Sequence, residues 1–456
     1  MHPSRHIRSQ QRRAVRHIRK TDAYAFFDLL TDDATLAQVE SLLPVHRERL
    51  LPPTETLAMF MAQALNADRS CQNAINEFSA RRVTGGLRAC STSTAAYCRA
   101  RQRLPQNMVS SLVSFTGQAM TASVSPAWTW QGRPVRLVDG TTVAMADTAE
   151  NQAAFPQPTA QKPGLGFPIS RLLALFCLSS GAVLDAATCA YHGKGHDEQT
   201  LLRSLLDRLE PGCVLVGDAF FATFFLLAEL QRRGVDGVFE QYGARRRSTD
   251  FRRGRRLGER DHVIELEKPK VRPSWMTETQ FAQAPDRLAV RELQVGGKTL
   301  VTTLLCAKLT PKSELKSLYR QRWHVELNFR YLKTTMGMEM LSSKSPAMAI
   351  KEIWVYLLAY NLIRRMMLQA ADIEGVLPRQ LSFKHALQLC MACRHCLTQL
   401  DQDTVHVLLR LIAKRRVGQR PGRIEPRAIK RRPKPFPLLT KHRHLAREQL
   451  HLHGHP

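Results

Sequence analysis

Between residues 135 and 240 the hydrophobic pattern restricts the fold more than any other feature of the chain, because its period changes from that of helices to that of strands. Strand-like segments cover Val135–Met145, Ile169–Leu178 and Val183–Tyr191, and the short turn Ser179–Gly181 predicts an antiparallel hairpin. The next elements are a helix, a strand, a helix and a strand, over Gln199–Leu209, Cys213–Gly217, Thr223–Arg233 and Val235–Glu240. This pattern predicts an α/β core.

The order three strands, helix, strand, helix, strand is that of the RNase H-like fold, and the flanking segments predict further parts. We predict a core over 131–240 and 311–370, a β-rich insertion over 241–310, a helical domain over 21–130 and C-terminal helices over 371–413. Helices are predicted at Thr21–Leu30, Thr54–Asn66, Ser70–Arg82, Ser93–Arg103, Gln106–Ser123, Ser313–Lys333, Ala347–Gln369, Phe383–Leu397 and Val405–Ala413. Strands of the insertion are predicted at Val263–Glu267, Arg287–Val295 and Thr299–Cys306.

The net charge of the 456-residue chain is strongly positive, since 67 Lys and Arg residues against 39 Asp and Glu residues give +28. With 44% hydrophobic residues the chain is too apolar for a disordered polycation. We therefore expect a folded protein whose surface binds a polyanion, for which nucleic acid is favoured over an anionic membrane surface. The positive charge concentrates in a basic arm over 1–20, an arginine-rich run over 244–260 and a basic tail over 414–456.

Membrane insertion and secretion are not expected. No stretch reaches the roughly 18 consecutive apolar residues that a membrane span needs. No apolar segment of a signal peptide follows the basic N-terminus, and the ten cysteines are scattered without a disulfide framework. These features predict a soluble, cytoplasmic protein with reduced thiols.

A polar stripe on the predicted helix 313–333 indicates a functional site. Tyr319, Arg322, Glu326 and Lys333 lie at offsets of 0, 3, 7 and 14 residues, which on a regular helix fall within about 60° of one another. Arg330 falls on the same stripe. A stripe of this length beside an apolar packing face is normally apolar itself, so the polar residues are expected to line a metal or a phosphate backbone. The alternative for a single Glu is an ordinary solvated position.

Two aspartates occupy matching positions on the predicted strands. Asp139 interrupts the apolar strand Leu137–Thr141, where burial and β-propensity both disfavour Asp. Asp218 follows the strand Val214–Gly217, at the carboxyl end, where α/β sheets bind ligands. The competing interpretations are local: Asp139 would cap a turn with Gly140, and Asp218 would cap the following helix.

These residues resemble the DDE triad and the YREK signature of bacterial insertion-sequence transposases, and the pattern is similar to the insertion-sequence-four family. Asp139, Asp218 and Glu326 match the triad, while the spacing of Tyr319, Arg322, Glu326 and Lys333 matches the signature. The resemblance extends over roughly residues 60–370 and includes Asp139–Thr141, Tyr319–Trp323, Leu332–Thr334 and Ala359–Arg364. Ala219 departs from the family, because many relatives carry Arg after the second acid, and a phosphate contact is lost there.

The resemblance implies an RNase H-like core with a β-rich insertion and a helical domain that binds the DNA ends. It implies that Asp139, Asp218 and Glu326 hold two Mg²⁺ or Mn²⁺ ions per active site, since hard cations prefer oxygen ligands. It also implies that Tyr319, Arg322 and Lys333 bind the DNA backbone near the 5′ phosphate of the non-transferred strand.

The function that follows from the resemblance is cut-and-paste transposition by a bacterial, nucleoid-associated enzyme. Its partners are double-stranded DNA, in the form of terminal inverted repeats and target DNA, and a second copy of the chain in the DNA complex. Two alternatives stay open: a catalytically silent DNA-binding regulator derived from a transposase, and an RNase H-like nuclease acting on RNA hybrids or junctions. The intact triad disfavours the first, and the signature spacing disfavours the second.

Weaker signals carry ordinary alternatives. Trp275, in the insertion, is a candidate for stacking on an unpaired base, whereas Trp323 is interpreted as a packing residue. The cluster Cys390, Cys393, His395 and Cys396 suggests a metal knuckle, but its helical pattern favours an ordinary helix. Tyr97–Arg103 offers a basic helix face suited to phosphates, and Asp197 is expected to cap the helix that follows it.

Overall fold

The computed structural model describes residues 41–43, 50–193, 195–243, 249–393, 402–418 and 439–453. Several predictions fall outside these residues, namely the basic arm, the helix Thr21–Leu30, the first part of the arginine-rich run and most of the basic tail. Among the described residues, no helix combines the length and apolar character needed to cross a membrane.

The centre of the fold is a mixed nine-stranded sheet in the order β3-β2-β1-β4-β5-β9-β8-β7-β6. The strands are β1 Val135–Ala144, β2 Ile169–Cys177, β3 Val183–Ala190, β4 Val214–Val216, β5 Asp236–Glu240, β6 Arg255–Gly258, β7 Asp261–Glu267, β8 Arg287–Val295 and β9 Lys298–Thr302. The hairpin β2–β3 is antiparallel, as predicted, and β1 pairs antiparallel with β2. β4 and β5 run parallel to β1, so their carboxyl ends meet at one edge. The RNase H-like order of elements is confirmed.

The predicted β-rich insertion extends this same sheet. β9 pairs antiparallel with β5, through partners such as Phe239 and Val301, and β6 to β8 follow as an antiparallel meander. A buried ion pair holds the meander: Arg291 donates from Nε and Nη2 to Asp261 at 2.8 and 2.6 Å, and from Nη1 to the carbonyl oxygen of Thr310 at 2.7 Å. The three predicted strands of this segment are confirmed, although the last ends at Thr302.

Helices cover both faces of the sheet. They are α1 Pro53–Leu65, α2 Cys71–Thr84, α3 Ala95–Arg103, α4 Gln106–Ala122, α5 Ala149–Ala154, α6 Glu198–Arg203, α7 Phe224–Arg232, α8 Glu278–Gln283, α9 Lys312–Arg320, α10 Trp323–Arg330, α11 Pro346–Ile373, α12 Phe383–Cys393, α13 Gln402–Lys414 and α14 Arg443–His453. One hydrophobic core joins α1, α4, α9, α10 and α11 to one face of the sheet. A second core joins α6 and α7 to the other face. The helix predicted over Gln199–Leu209 is shorter, with α6 followed by a 3₁₀ turn at Leu206–Arg208.

Helix α11 is apolar on nearly every side because it is buried along most of its length. Two of its polar side chains form hydrogen bonds with neighbouring elements. The Tyr356 hydroxyl donates to the carbonyl oxygen of Ala64 in α1, and the Tyr360 hydroxyl donates to that of Gly181 in the β2–β3 turn. Helices of the N-terminal region thus pack in the same core as the central sheet.

The prediction of one regular helix over Ser313–Lys333 was wrong. α9 ends at Arg320 and α10 begins at Trp323, and the backbone hydrogen bonds around the junction join residues three apart, which tightens the turn. A π-helical turn over Tyr331–Thr335 then widens the chain path, with Met336 N–H donating to the carbonyl oxygen of Tyr331. A hydrophobic period cannot reveal such changes in hydrogen bonding, so the signature residues do not follow the single straight stripe that a regular helix would give.

Candidate active site

The two aspartates are neighbours because of the register between β1 and β4. Leu137 pairs with Val216, and each aspartate lies two residues further toward the carboxyl end of its chain segment. Asp139 Oδ1 accepts the Gly140 N–H at 2.8 Å, and Asp218 Oδ1 accepts the Phe220 N–H at 2.9 Å. Both local interpretations therefore describe real hydrogen bonds, although Asp218 caps the 3₁₀ turn Ala219–Phe221 and not α7.

Arg322 connects the third acid to the first. Its Nη2 donates to Glu326 Oε1 at 2.6 Å, and its Nη1 lies 3.4 Å from Asp139 Oδ2. The Arg322 and Asp139 side chains are each 18% exposed and Glu326 is 36% exposed, so the bridge is only partly accessible to solvent. The helix α10 thereby places Glu326 beside Asp139 in the middle of β1.

The other signature residues flank this bridge. Lys333 Nζ lies 3.4 Å from Thr141 Oγ1, two residues beyond Asp139 on β1. The buried Tyr319 donates its hydroxyl to Glu240 Oε2 at 3.4 Å, and burial raises its pKa. Arg330 is exposed on α10, and in the described part of the chain it makes no contact with the three acids.

The structure contradicts the sequence interpretation of Trp323 and places Trp275 in a groove. Trp323 is 57% exposed at the start of α10, so its interpretation as a packing residue was wrong. Trp275 is 44% exposed and lines a groove of about 1040 Å³ between α6, α7 and α8. The Arg203 guanidinium lies over its ring, 4.1 Å from the centroid, and Phe225 meets it edge-on.

The weaker sequence signals are also partly corrected. Tyr97 is fully buried and Arg101 stacks on it at 5.1 Å, so only Arg99 and Arg103 of the proposed basic face are exposed. Cys390 is buried in α12, with its thiol 3.2 Å from the Met366 sulfur, which agrees with an ordinary helix. His395 and Cys396 lie outside the described residues.

Sequence reasoning missed two ion pairs beside the acids. Arg171 on β2 donates to Glu198 on α6 at 2.9 Å, and Lys298 on β9 donates to Glu240 on β5 at 2.6 Å. The one available signal was Arg171, a cation inside the apolar strand Ile169–Leu178, because such a residue needs a buried partner. The predicted cap was correct, since Asp197 Oδ1 accepts the Thr200 N–H at 2.7 Å at the start of α6.

Electrostatics at the site disfavour charge on Asp139. Burial above all, together with the negative charges of Asp218 and Glu198, raises the pKa of its carboxyl to about 7, although the Gly140 N–H and the Arg322 guanidinium act to lower it. A site that concentrates negative charge in this way suits a bound cation.

This charge has a measurable consequence for stability. Because the folded pKa of Asp139 lies above the ordinary value of 3.8, ionisation favours unfolding progressively as the pH rises from about 4 to 7, and the full penalty holds above pH 7. In metal-free buffer we expect Asp139→Asn to raise the free energy of unfolding by about 2–3 kcal/mol at pH 8 and by little at pH 4. Urea unfolding at the two pH values measures this. The control is Asp286→Asn, since the Asp286 side chain is 97% exposed. Equal gains at both pH values would show that charge on Asp139 is not the cause.

Comparison with known proteins identifies the family of the chain. Residues 130–362, just over half of the chain, match the family model described as "Transposase DDE domain". The chain is also 29% identical over 363 residues to "Transposase InsG for insertion sequence element IS4" of Escherichia coli (strain K12), covering 76% of this chain and 78% of that protein. The chain therefore belongs to the DDE transposases, and within them to the insertion-sequence-four family. It is accordingly an enzyme that acts on DNA, in a family that uses divalent metal ions.

The chemistry of the donor set fits such ions. All three candidate ligands are carboxylates, which suit a hard divalent cation, and no thiol or imidazole lies among them. In the described ranges, no three Asp, Glu, His or Cys side chains are grouped closely enough to hold one ion together. Arg322 accounts for this at the acids, because its guanidinium bridges Asp139 and Glu326.

Proposed function

We propose that this transposase cuts at the terminal inverted repeats of its own element and joins the resulting 3′-hydroxyl ends to target DNA. The observation that supports the proposal is the placement of three acids on neighbouring elements: Asp139 lies on β1, Asp218 follows the paired strand β4, and Glu326 on α10 is linked to Asp139 through Arg322. Hydrolysis and transesterification need the same site, since only the attacking oxygen changes from water to a 3′-hydroxyl.

Asp139, Asp218 and Glu326 are proposed to hold two Mg²⁺ or Mn²⁺ ions. When bound, such ions activate the attacking oxygen and stabilise the leaving oxygen of an in-line displacement. The protein supplies the remaining interactions. Arg322 can offer its planar donors to a phosphate in place of the carboxylates it now pairs with, and Lys333 adds a point charge near Thr141. Tyr319 is proposed to donate its hydroxyl to a phosphate oxygen.

The DNA partner is proposed to contact a surface that extends beyond the three acids. The net charge of +28 supports contacts with several phosphates, and exposed Arg330 extends the positive surface along α10. Trp275 is proposed to stack on an unpaired base, because nearly half of its surface is exposed and it lies in an arginine-lined groove. Two ends must be processed together, so we propose a homodimer in the DNA complex.

A plasmid assay tests the proposed reaction. The purified chain is incubated with Mg²⁺ and a supercoiled plasmid carrying the matched inverted repeats of the element. We expect double-strand breaks at the repeats, followed by products in which the 3′ ends are joined to new DNA, and neither with scrambled repeats or excess chelator. A gel shift without any cleavage would support the silent regulator instead, and hydrolysis without joined products would support the nuclease.

A further inference from the structure

The first turn of α6 contacts both segments that carry the aspartates. The Glu198 carboxyl group lies against Gly140, so closely that a methyl group on Gly140 would meet Glu198 Cδ at 2.3 Å and Oε1 at 2.4 Å. The next residue, Gln199, donates from Nε2 to the carbonyl oxygen of Phe220 at 2.7 Å. One helical turn therefore touches β1 one residue after Asp139 and the turn two residues after Asp218.

The Glu198 side chain is held in place from two directions. Arg171 Nη1 donates to its Oε1 at 2.9 Å, and Arg171 is itself fixed by the Tyr191 carbonyl oxygen at 3.4 Å and by the Tyr191 ring at 5.0 Å. The Glu198 and Arg171 side chains are 18% and 21% exposed, which distinguishes them from a solvated surface pair. The Asp197 cap fixes the start of α6 on the other side.

The glycine at position 140 is explained by this contact. Gly140 is not among the glycines with positive φ, so its backbone conformation is open to other residues. What it lacks room for is a side chain, because the Glu198 carboxyl group occupies the space where a Cβ would be.

We propose that Glu198 is a positioning residue of the active site, which fixes β1 at Gly140 relative to the turn after β4 and so sets the separation of Asp139 and Asp218. The inference rests on the proposed function, in which these aspartates bind divalent ions. In this role Glu198 acts through the backbone of β1 and makes no contact with metal or DNA.

The test compares Glu198→Ala with Glu198→Gln. Because Gln keeps the shape and can still accept from Arg171, we expect it to retain wild-type behaviour within about threefold. We expect Ala to raise the Mg²⁺ concentration for half-maximal plasmid cleavage by about tenfold, with a smaller effect on the rate at saturating Mg²⁺. Mn²⁺ binding to the DNA-free protein, followed by electron paramagnetic resonance, should weaken in parallel. An unchanged Glu198→Ala, or a Glu198→Gln as defective as Ala, would overturn the positioning role.

A double-mutant cycle with Gly140 sharpens the test. Gly140→Ala pushes the carboxyl group of Glu198 away, so it should reproduce the weakened Mg²⁺ and Mn²⁺ dependence although Glu198 is still present. In the Glu198→Ala background the new methyl group has space, and Gly140→Ala should then add less than about twofold. Fully additive effects would overturn the proposal. If Glu198→Ala does not fold, Gly140→Ala and Glu198→Gln carry the test by themselves.

Two further variants distinguish the Glu198 contact from the start of α6 and from the acids themselves. Asp197→Ala removes the cap of α6 but leaves the Glu198 side chain and its Arg171 partner in the chain. It should therefore lower the thermal midpoint and weaken the metal dependence clearly less than Glu198→Ala does. A metal dependence as weak as that of Glu198→Ala would assign the effect to the helix start and overturn the role of Glu198. Asp218→Asn tests the proposed function itself. If Asp218→Asn is inactive while Glu198→Ala matches the wild type, only the positioning role fails; if Asp218→Asn still cleaves, the proposed site fails with it.

Discussion

Asp139→Asn, Asp218→Asn and Glu326→Gln are each expected to lower the rate of Mg²⁺-dependent DNA cleavage by about 10³-fold or more, while DNA binding survives. The amides keep the size of the carboxylates and most of their local hydrogen bonds. In Asp218→Asn the side-chain oxygen still accepts the Phe220 N–H, and in Glu326→Gln it still accepts from Arg322. What each variant loses is the negative charge and one hard oxygen ligand.

The measurement pairs a plasmid cleavage time course with a gel shift on the same repeats. Asp286→Asn and Glu339→Gln are matched controls, since both side chains are exposed and lie outside the three-acid site. Their rates should equal that of the wild type. Normal cleavage by any of the three active-site variants would remove that residue from the proposed site. Loss of DNA binding together with cleavage would mean that the variant had damaged the fold.

The acids around the proposed site are paired with basic or phenolic groups of the protein itself. Asp139 and Glu326 share Arg322, Glu198 pairs with Arg171, and Glu240 pairs with Lys298 and Tyr319. In each case the basic or phenolic side chain and at least one of its acidic partners belong to different elements. The pairs therefore tie together seven elements around the three acids, namely β1, β2, β5, β9, α6, α9 and α10.

Sequence patterns were sufficient for most strands of the core and for the order of its elements, but not for the course of every helix. The sequence identifies β1 as an apolar strand interrupted by an acid, Asp139, and it identifies Asp218 as an acid at the end of a strand. Both inferences need only the hydrophobic pattern and the position of the acid within one element. Asp139 and Asp218 are neighbours because β1 and β4 pair in parallel. Local periodicity does not contain this pairing, and only the fold implied by the family resemblance pointed to it.

Long-range and irregular features were beyond such patterns. The tightened junction at Gln321 and Arg322 depends on hydrogen bonds three residues apart, which leave the hydrophobic period nearly unchanged. The contact between Glu198 and Gly140 joins residues 58 positions apart on opposite sides of a hairpin, and nothing in either local sequence marks it. Trp323 was expected to be packed and is exposed, whereas Arg101 was expected to be exposed and is half-buried over the Phe60 ring. The burial of each side chain depends on neighbouring elements, which the pattern of its own helix does not show.

Asn361→Leu is expected to cost about 4–6 kcal/mol of the free energy of unfolding, a large share of the roughly 5–15 kcal/mol that stabilises a typical domain. Asn361 is fully buried in α11. Its Oδ1 accepts the Val183 N–H at 2.8 Å, and its Nδ2 donates to the carbonyl oxygens of Val183 and Val113 at 2.8 and 3.0 Å and lies 3.2 Å from Thr116 Oγ1. Leucine fills the space but leaves three backbone groups without these partners.

The size of this effect distinguishes a hydrogen-bonded junction from simple packing. Asn361 joins α11 to α4 and to the first residue of β3, so its loss should loosen the β2–β3 hairpin and lower both the urea and the thermal midpoints. Asn107→Leu makes the same change at an exposed position of α4 and should stay within about 0.5 kcal/mol of the wild type. If the two variants unfold alike, water must replace the amide and the junction is held by apolar packing. If Asn361→Leu unfolds early yet cleaves DNA normally below its midpoint, the amide stabilises the scaffold and takes no part in the chemistry proposed for the three acids.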